Sequence, residues 1–191
     1  MTTDTTSFPE PDPELRHREI HAGQARVAVF RRTYSAPIED VWDACTNPDR
    51  LRRWYVPVTG DLRLGGTFEQ SNMGGGEIVA CDAPSFLKLS LGGGADEIEL
   101  RLAPDTDGTT QLELQHATTI DKHNIGGEMF DAIFCMGGGY YPRFAALAWY
   151  LRGELPEDYD STNFHTLPVM RPIIERGSAA MAALLQTDLR G

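Results

Sequence analysis

Apolar and polar residues along this chain follow two periods, and the switch between them divides it. Residues 25–34 (ARVAVFRRTY) read as a strand. Val27 and Val29 fall on one face; Ala28, Phe30, Arg32 and Tyr34 fall on the other. Ser35-Ala36-Pro37 then signals a helix start, and Ile38, Val41 and Trp42 share one helical face. A second start follows at Thr46-Asn47-Pro48-Asp49. Thr46 is the expected cap, Pro48 suits the first turn, and Leu51, Trp54 and Tyr55 make the apolar side.

A run of strands comes next, at residues 66–73, 77–82, 86–91, 96–103 and 109–117. Alternation is clearest in Ile98, Leu100 and Leu102, and in Leu112, Leu114 and His116. The connections are short and turn-like, so the strands pair as an antiparallel meander. The glycine trios at 74–76 and 92–94 do not fit a phosphate-binding loop, since neither opens a helix within a βαβ unit.

From Gly139 the period becomes helical. Tyr140, Phe144, Leu147 and Leu151 form one stripe, with Tyr141, Ala145 and Ala148 beside it. Pro142 suits only a first turn, which predicts a helix starting near residue 140. Residues 153–168 read as a loop. A last amphipathic helix is expected over 172–187, using Ile173, Ile174, Met181, Leu184 and Leu185. Residues 1–23, with Pro9, Pro11 and Pro13, read as a flexible tail with a short helical piece at Glu14–His21. The expected organisation is therefore a tail (1–23), a compact domain (24–152) and a C-terminal extension (153–191). A curved sheet packed by one long helix does not close at both ends. The two short helices would plug one end and leave a cavity between sheet and helix.

These residues resemble the helix-grip (START-like, SRPBCC) superfamily. The branch is that of bacterial proteins similar to the C-terminal domain of the heat-shock-protein-90 ATPase activator. The matching stretches are Arg32-Thr33-Tyr34-Ser35-Ala36-Pro37 into Val41-Trp42, and Thr46-Asn47-Pro48-Asp49-Arg50 into Arg53-Trp54. Gly60-Asp61-Leu62-Arg63, Gly65-Gly66-Thr67-Phe68 and Gly76-Glu77-Ile78 before Pro84 follow. Leu102-Ala103-Pro104 before Gly108-Thr109, then Leu112, Leu114 and His116, complete the set. The resemblance covers roughly residues 25–152. It implies an α+β fold: a curved antiparallel β-sheet wrapped on a long C-terminal helix, with two short helices after the first strand. The chain departs from the pattern at Gly139-Tyr140, where relatives have Gly-Trp, and at Ser90-Leu91, where they have Thr-Trp. The superfamily hosts lipid carriers, hormone sensors, aromatic cyclases and chaperone partners on one scaffold, so it implies fold more strongly than function.

Composition narrows the classes. The chain has 191 residues, with Lys+Arg 17 against Asp+Glu 28 and a net charge of −11. Such an acidic chain repels phosphate backbones and anionic lipid surfaces, so nucleic acid is not an expected partner. The polar, acidic start does not read as a signal peptide, and no apolar run is long enough for a membrane span. Cys45, Cys81 and Cys135 are widely spaced, which suggests reduced thiols in a cytoplasm. Two readings of Cys135 stand, a buried small hydrophobe or a nucleophile.

The candidate ligand-binding residues are Phe30, Arg32, Trp54, Phe68, Gln70, Asn72, His116, Tyr140 and Phe144. Trp54, Phe68, Tyr140 and Phe144 lie where short helices, sheet and long helix should converge. Gln70 and Asn72 alternate with Phe68 and would add polar specificity. Arg32 on an inward face needs a carboxylate, from Glu69, Glu77 or a ligand. His116 is structural filler, a polar anchor or a general base. His17, Glu19 and His21 do not match the zinc signature H-E-x-x-H, so no metal and no cofactor are expected. The leading expectation is non-enzymatic binding of a small, mostly apolar or aromatic ligand, as carrier or sensor. One alternative is a chaperone-partner interaction module with a stress-response role; another is a cyclase or hydrolase in the same cavity, using His116 or a tyrosine. The stripe on the last helix could cover its own domain or a twin subunit in a homodimer.

Overall fold

The computed structural model describes residues 10–71 and 74–190. Two strands open the chain, β1 (Asp12–Ile20) and β2 (Gly23–Tyr34), followed by α1 (Ile38–Thr46) and α2 (Pro48–Trp54). Then come β3 (Val58–Gly60), β4 (Thr67–Gln70), β5 (Gly74–Asp82), β6 (Phe86–Leu91), β7 (Asp96–Pro104) and β8 (Thr110–Thr118). A small hairpin, β9 (Lys122–Ile125) with β10 (Glu128–Asp131), leads into α3 (Ala132–Leu151), and α4 (Arg171–Asp188) ends the chain. The main sheet has eight strands in the order β1-β2-β8-β7-β6-β5-β4-β3. All its pairings are antiparallel. This is the expected curved sheet on a long helix, with two short helices placed early.

Register assigns the faces, because directly opposed residues share a side. Leu15, Ala28, His116 and Ile98 are paired across four strands, as are Phe30, Leu114, Leu100 and Leu87. This face is concave and meets α3. The opposite face carries Glu14, Arg31, Glu113, Arg18, Glu97, Glu99 and Lys88. They form ion pairs such as Arg31–Glu113 at 2.5 Å and Lys88–Glu97 at 2.9 Å. Val27 and Val29 lie on this second face yet are fully buried. Their cross-strand neighbours Arg16, Glu14 and Gln115 have long stems that cover them.

The structure corrects several expectations. The segment read as a tail with a helical piece is strand from Asp12 to Ile20, paired along its length with β2. Its Leu15 packs on the core and its Arg16 and Arg18 join the charged face, a two-sided demand that overrides local propensity. Expected short helices are present, but the cap of α2 is Asn47, whose side chain accepts from the Asp49 amide at 3.0 Å. Thr46 instead ends α1, and its hydroxyl donates to the Trp42 carbonyl.

α3 starts eight residues before Tyr140, at Ala132, capped by the Asp131 carboxylate, which accepts from the Ile133 amide at 2.8 Å. Pro142 therefore sits in the helix interior, where packing on both the sheet and α4 offsets its missing donor. α4 buries Ile173, Gly177 and Met181 against its own domain. The crossing of α3 and α4 is close: a Cβ added at Gly137 would lie 2.1 Å from the Gly177 carbonyl oxygen. Among the described residues no helix is long and apolar enough to cross a membrane.

Candidate functional site: a cavity between sheet and long helix

A cavity of about 350 Å³ lies between the concave face and α3. Its floor is Ile98, Leu100, Leu112, Leu114, Leu87 and Leu89, one inward row from each of β6, β7 and β8. Tyr140, Arg143, Phe144 and Leu147 of α3 form the roof, at helical spacing. Trp42, Cys45, Leu51, Trp54 and Tyr55, from α1, α2 and the residue beyond, close one end. Phe68, Gln70 and the Leu62 and Leu64 side chains close another. Leu64 is 64% exposed and marks a mouth. The Trp54 indole N–H donates to the Ala44 carbonyl at 2.9 Å, which locks α2 onto α1 behind the wall.

Trp54, Phe68, Gln70, Tyr140 and Phe144 line this cavity as expected from the sequence. Phe30, Arg32 and His116 stand one layer behind. Phe30 is fully buried, and its ring packs at a tilt against Tyr140 and Phe144, with centroids 5.2 and 6.2 Å away. Asn72 lies outside the described residues. Arg32 is inward and buried, but Glu69 and Glu77 cannot serve it, because register puts both on the opposite face of the sheet. Arg32 Nη1 donates to the Phe144 carbonyl at 3.2 Å, and the guanidinium lies over the Tyr34 ring. Burial lowers its pKa to about 10. This arginine pins α3 to β2.

His116 is tied on both sides. Nε2 is 3.3 Å from the Asp96 carboxylate and Nδ1 is 2.8 Å from the Tyr140 hydroxyl. The carboxylate selects the Nε2–H tautomer, which leaves Nδ1 to accept from Tyr140. Burial raises the Tyr140 pKa well above its usual value, so the phenol keeps its proton at neutral pH. The arrangement orients Tyr140 in the roof; it does not make Tyr140 a base.

Tyr55, Arg143 and Asp96 were not legible as site residues. Tyr55 and Gln70 are hydrogen-bonded through their side chains, and burial raises the Tyr55 pKa. Arg143 lies over the Tyr55 ring at 5.1 Å and the Phe164 ring at 4.9 Å. Arg143 carried a signal, being one turn from Tyr140 and Leu147 on the helical stripe, and so did Tyr55, on the apolar side of the second short helix. Cys45 lines the cavity with its thiol pushed up to about 12 by burial. Cys135 is outside the wall and its thiol is also raised, by burial and by the Asp131 charge, which argues against the nucleophile reading. Among the described residues no cluster of metal-ligating side chains exists, and His17 meets Asp188 at 3.0 Å from a strand, not a helix.

A twisted sheet gripping one long helix around an internal cavity defines a helix-grip protein. Residues 35–137 match the family described as activator of Hsp90 ATPase homolog 1-like protein, and the chain belongs to that family. It is similar to CalU16 from Micromonospora echinospora in two structures. The crystal structure is 32% identical, covers 93% of this chain and 99% of that one, and has a TM-score of 0.74. For the solution structure the values are 33%, 95%, 98% and 0.79. An Hsp90 activator from Plasmodium falciparum shares the fold at 18% identity and TM-score 0.56, covering 66% of this chain and 96% of its own. DynU16, a protein in the dynemicin biosynthetic locus, does so at 20% and 0.54, covering 70% of this chain and 50% of its own. No curated protein matches the chain.

Proposed function

We propose that this protein binds a small, mostly apolar molecule in the cavity between sheet and α3 and holds it without turning it over, as a carrier or sensor. The observation that carries this reading is the cavity itself. Its volume of about 350 Å³ falls within the roughly 300–1,000 Å³ of ligand pockets, and its wall is leucine, isoleucine and aromatic carbon with few polar groups. A void of this size left empty would forfeit packing contacts on every side. The non-catalytic part of the reading is supported by the raised Tyr140, Tyr55 and Cys45 groups, which hold their protons at neutral pH. A chaperone-docking role takes its support from the family's description alone, since the likeness to the Plasmodium activator is one of fold.

The test is a neutral apolar fluorophore, N-phenyl-1-naphthylamine. The wild-type protein should enhance and blue-shift its emission and gain thermal stability in its presence. Leu89→Trp, which fills the cavity from its floor, should abolish both effects while keeping the far-ultraviolet spectrum of the fold. A wild type that leaves the fluorophore unchanged, or a filled variant that binds it equally well, rejects the reading.

A further inference from the structure

We propose, resting on the binding role above, that the molecule held here carries a neutral hydrogen-bond donor, a hydroxyl or a ring N–H, on its apolar body, and that the Tyr140 oxygen receives it. Tyr140 spans the cavity from roof to floor. Its backbone belongs to α3, yet its hydroxyl meets His116 Nδ1 on β8 at 2.8 Å. His116 is paired across the sheet with Ile98 and lies two residues beyond Leu114, and both of those line the floor. The phenol oxygen therefore ends at floor level, on a side chain that is itself part of the cavity wall.

The bonding around that oxygen decides what it offers a guest. Asp96, 3.3 Å from Nε2, holds the imidazole proton there, so Nδ1 is an acceptor and takes the Tyr140 proton. A phenol has one proton to give, and this one is spent. Lone pairs remain on the oxygen, and among the described residues no group donates to them. The chain from carboxylate through imidazole to phenol also polarises in one direction, which makes the oxygen at its end a stronger acceptor. A buried acceptor without a partner carries an uncompensated desolvation cost, and a donor on the guest removes it. Guests that only accept, such as ketones, ethers and carboxylates, would meet a lone pair there instead of a proton. An ammonium could donate, but drawing its charge out of water into a wall of leucine and aromatic carbon costs more than one hydrogen bond returns. Alcohols, phenols and indole-like N–H groups are the chemistry that fits.

The experiment compares isosteric pairs on the full chain by calorimetric titration at neutral pH: indole with benzofuran, and 2-naphthol with 2-fluoronaphthalene. Only the first member of each pair donates. The donor-to-isostere affinity ratio is measured for the wild type and for Tyr140→Phe, and dividing one ratio by the other cancels the guests' own hydration. Donors should lose about fivefold in the variant, the scale of one net hydrogen bond, while their isosteres bind as before. Nitrogen NMR of the wild-type His116 ring gives a second readout: Nε2 alone should be protonated, with and without indole. Where the variant does not fold, that readout and tighter wild-type binding of each donor decide. A ring protonated on Nδ1, equal wild-type affinities within each pair, or a ratio unchanged by Tyr140→Phe overturns this inference and leaves the binding role standing. Failure of every probe, including N-phenyl-1-naphthylamine, overturns both.

Discussion

Asp96 is the ionisable group whose state is most tightly bound to the architecture of the cavity roof. Burial pushes its carboxyl up, but hydrogen bonds from His116 and Thr118 outweigh that, and the net pKa falls below its ordinary 3.8. A carboxyl depressed in the folded state contributes stability that is fully present above the unfolded value and disappears as pH falls through the folded one. Asp96→Asn should therefore lower the melting temperature at neutral pH. The gap to wild type should close as pH drops below about 4, the ordinary carboxyl range. Melting curves from pH 7 to pH 2.5 on both proteins check this; a gap that stays constant would mean the carboxylate charge is not what Asp96 supplies. Arg32, two strands away on the same face, acts differently. It is a buried cation that donates to a helix carbonyl and lies over a ring face, and its role is to fasten α3 to the sheet.

At the scale of elements, the pairing of α3 with α4 is the feature least like an ordinary helix contact. Gly137 and Gly177 face each other so closely that a Cβ on either would meet the other's carbonyl oxygen at 2.1 and 2.3 Å. A backbone oxygen cannot swing away as a side chain does, so Gly137→Ala must push the two axes apart and uncover Ile173 and Met181. Destabilisation at the upper end of the overpacking range, about 3 kcal/mol, is expected in urea titrations. A change under about 0.5 kcal/mol would show that the crossing yields easily. The same contact explains why α3 starts at Ala132, well before Tyr140. Pro142 and three consecutive glycines argue locally against a helix, yet two of those glycines, Gly137 and Gly138, are what let α4 approach, and the resulting burial outweighs propensity. The Asp131 cap was visible in the chain, but nothing nearby distinguished it from any other loop aspartate.

On the scale of the whole molecule, the sheet is held from both faces: an apolar core with α3 on the concave side and a charged lattice over Val27 and Val29 on the other. β1 closes the edge of that lattice. A chain starting at residue 22 would expose the β2 edge and uncover the two valines. Its melting temperature should fall by on the order of 10 °C, and it should self-associate through the open edge. Unchanged melting and a monomeric elution volume would return residues 12–20 to the role of a dispensable tail.

Much of this was legible in the chain, and the boundary of legibility has a physical cause. Alternation at Ile98, Leu100 and Leu102, and at Leu112 and Leu114, sets a one-sided antiparallel sheet, because a strand with one buried face must alternate. The spacing of Tyr140, Phe144 and Leu147 makes one face of α3 apolar for the same kind of local reason. Tyr140 and Phe144, on that helical face, were therefore named as wall residues from the chain, whereas the leucine and isoleucine floor was read as core and not singled out. The strand identity of residues 12–20, the interior position of Pro142, and the meeting of Tyr55, Gln70 and Arg143 all depend on partners far along the chain. They were settled by long-range packing, where burial of distant apolar surface and the pairing of buried polar groups outweigh what any single segment prefers.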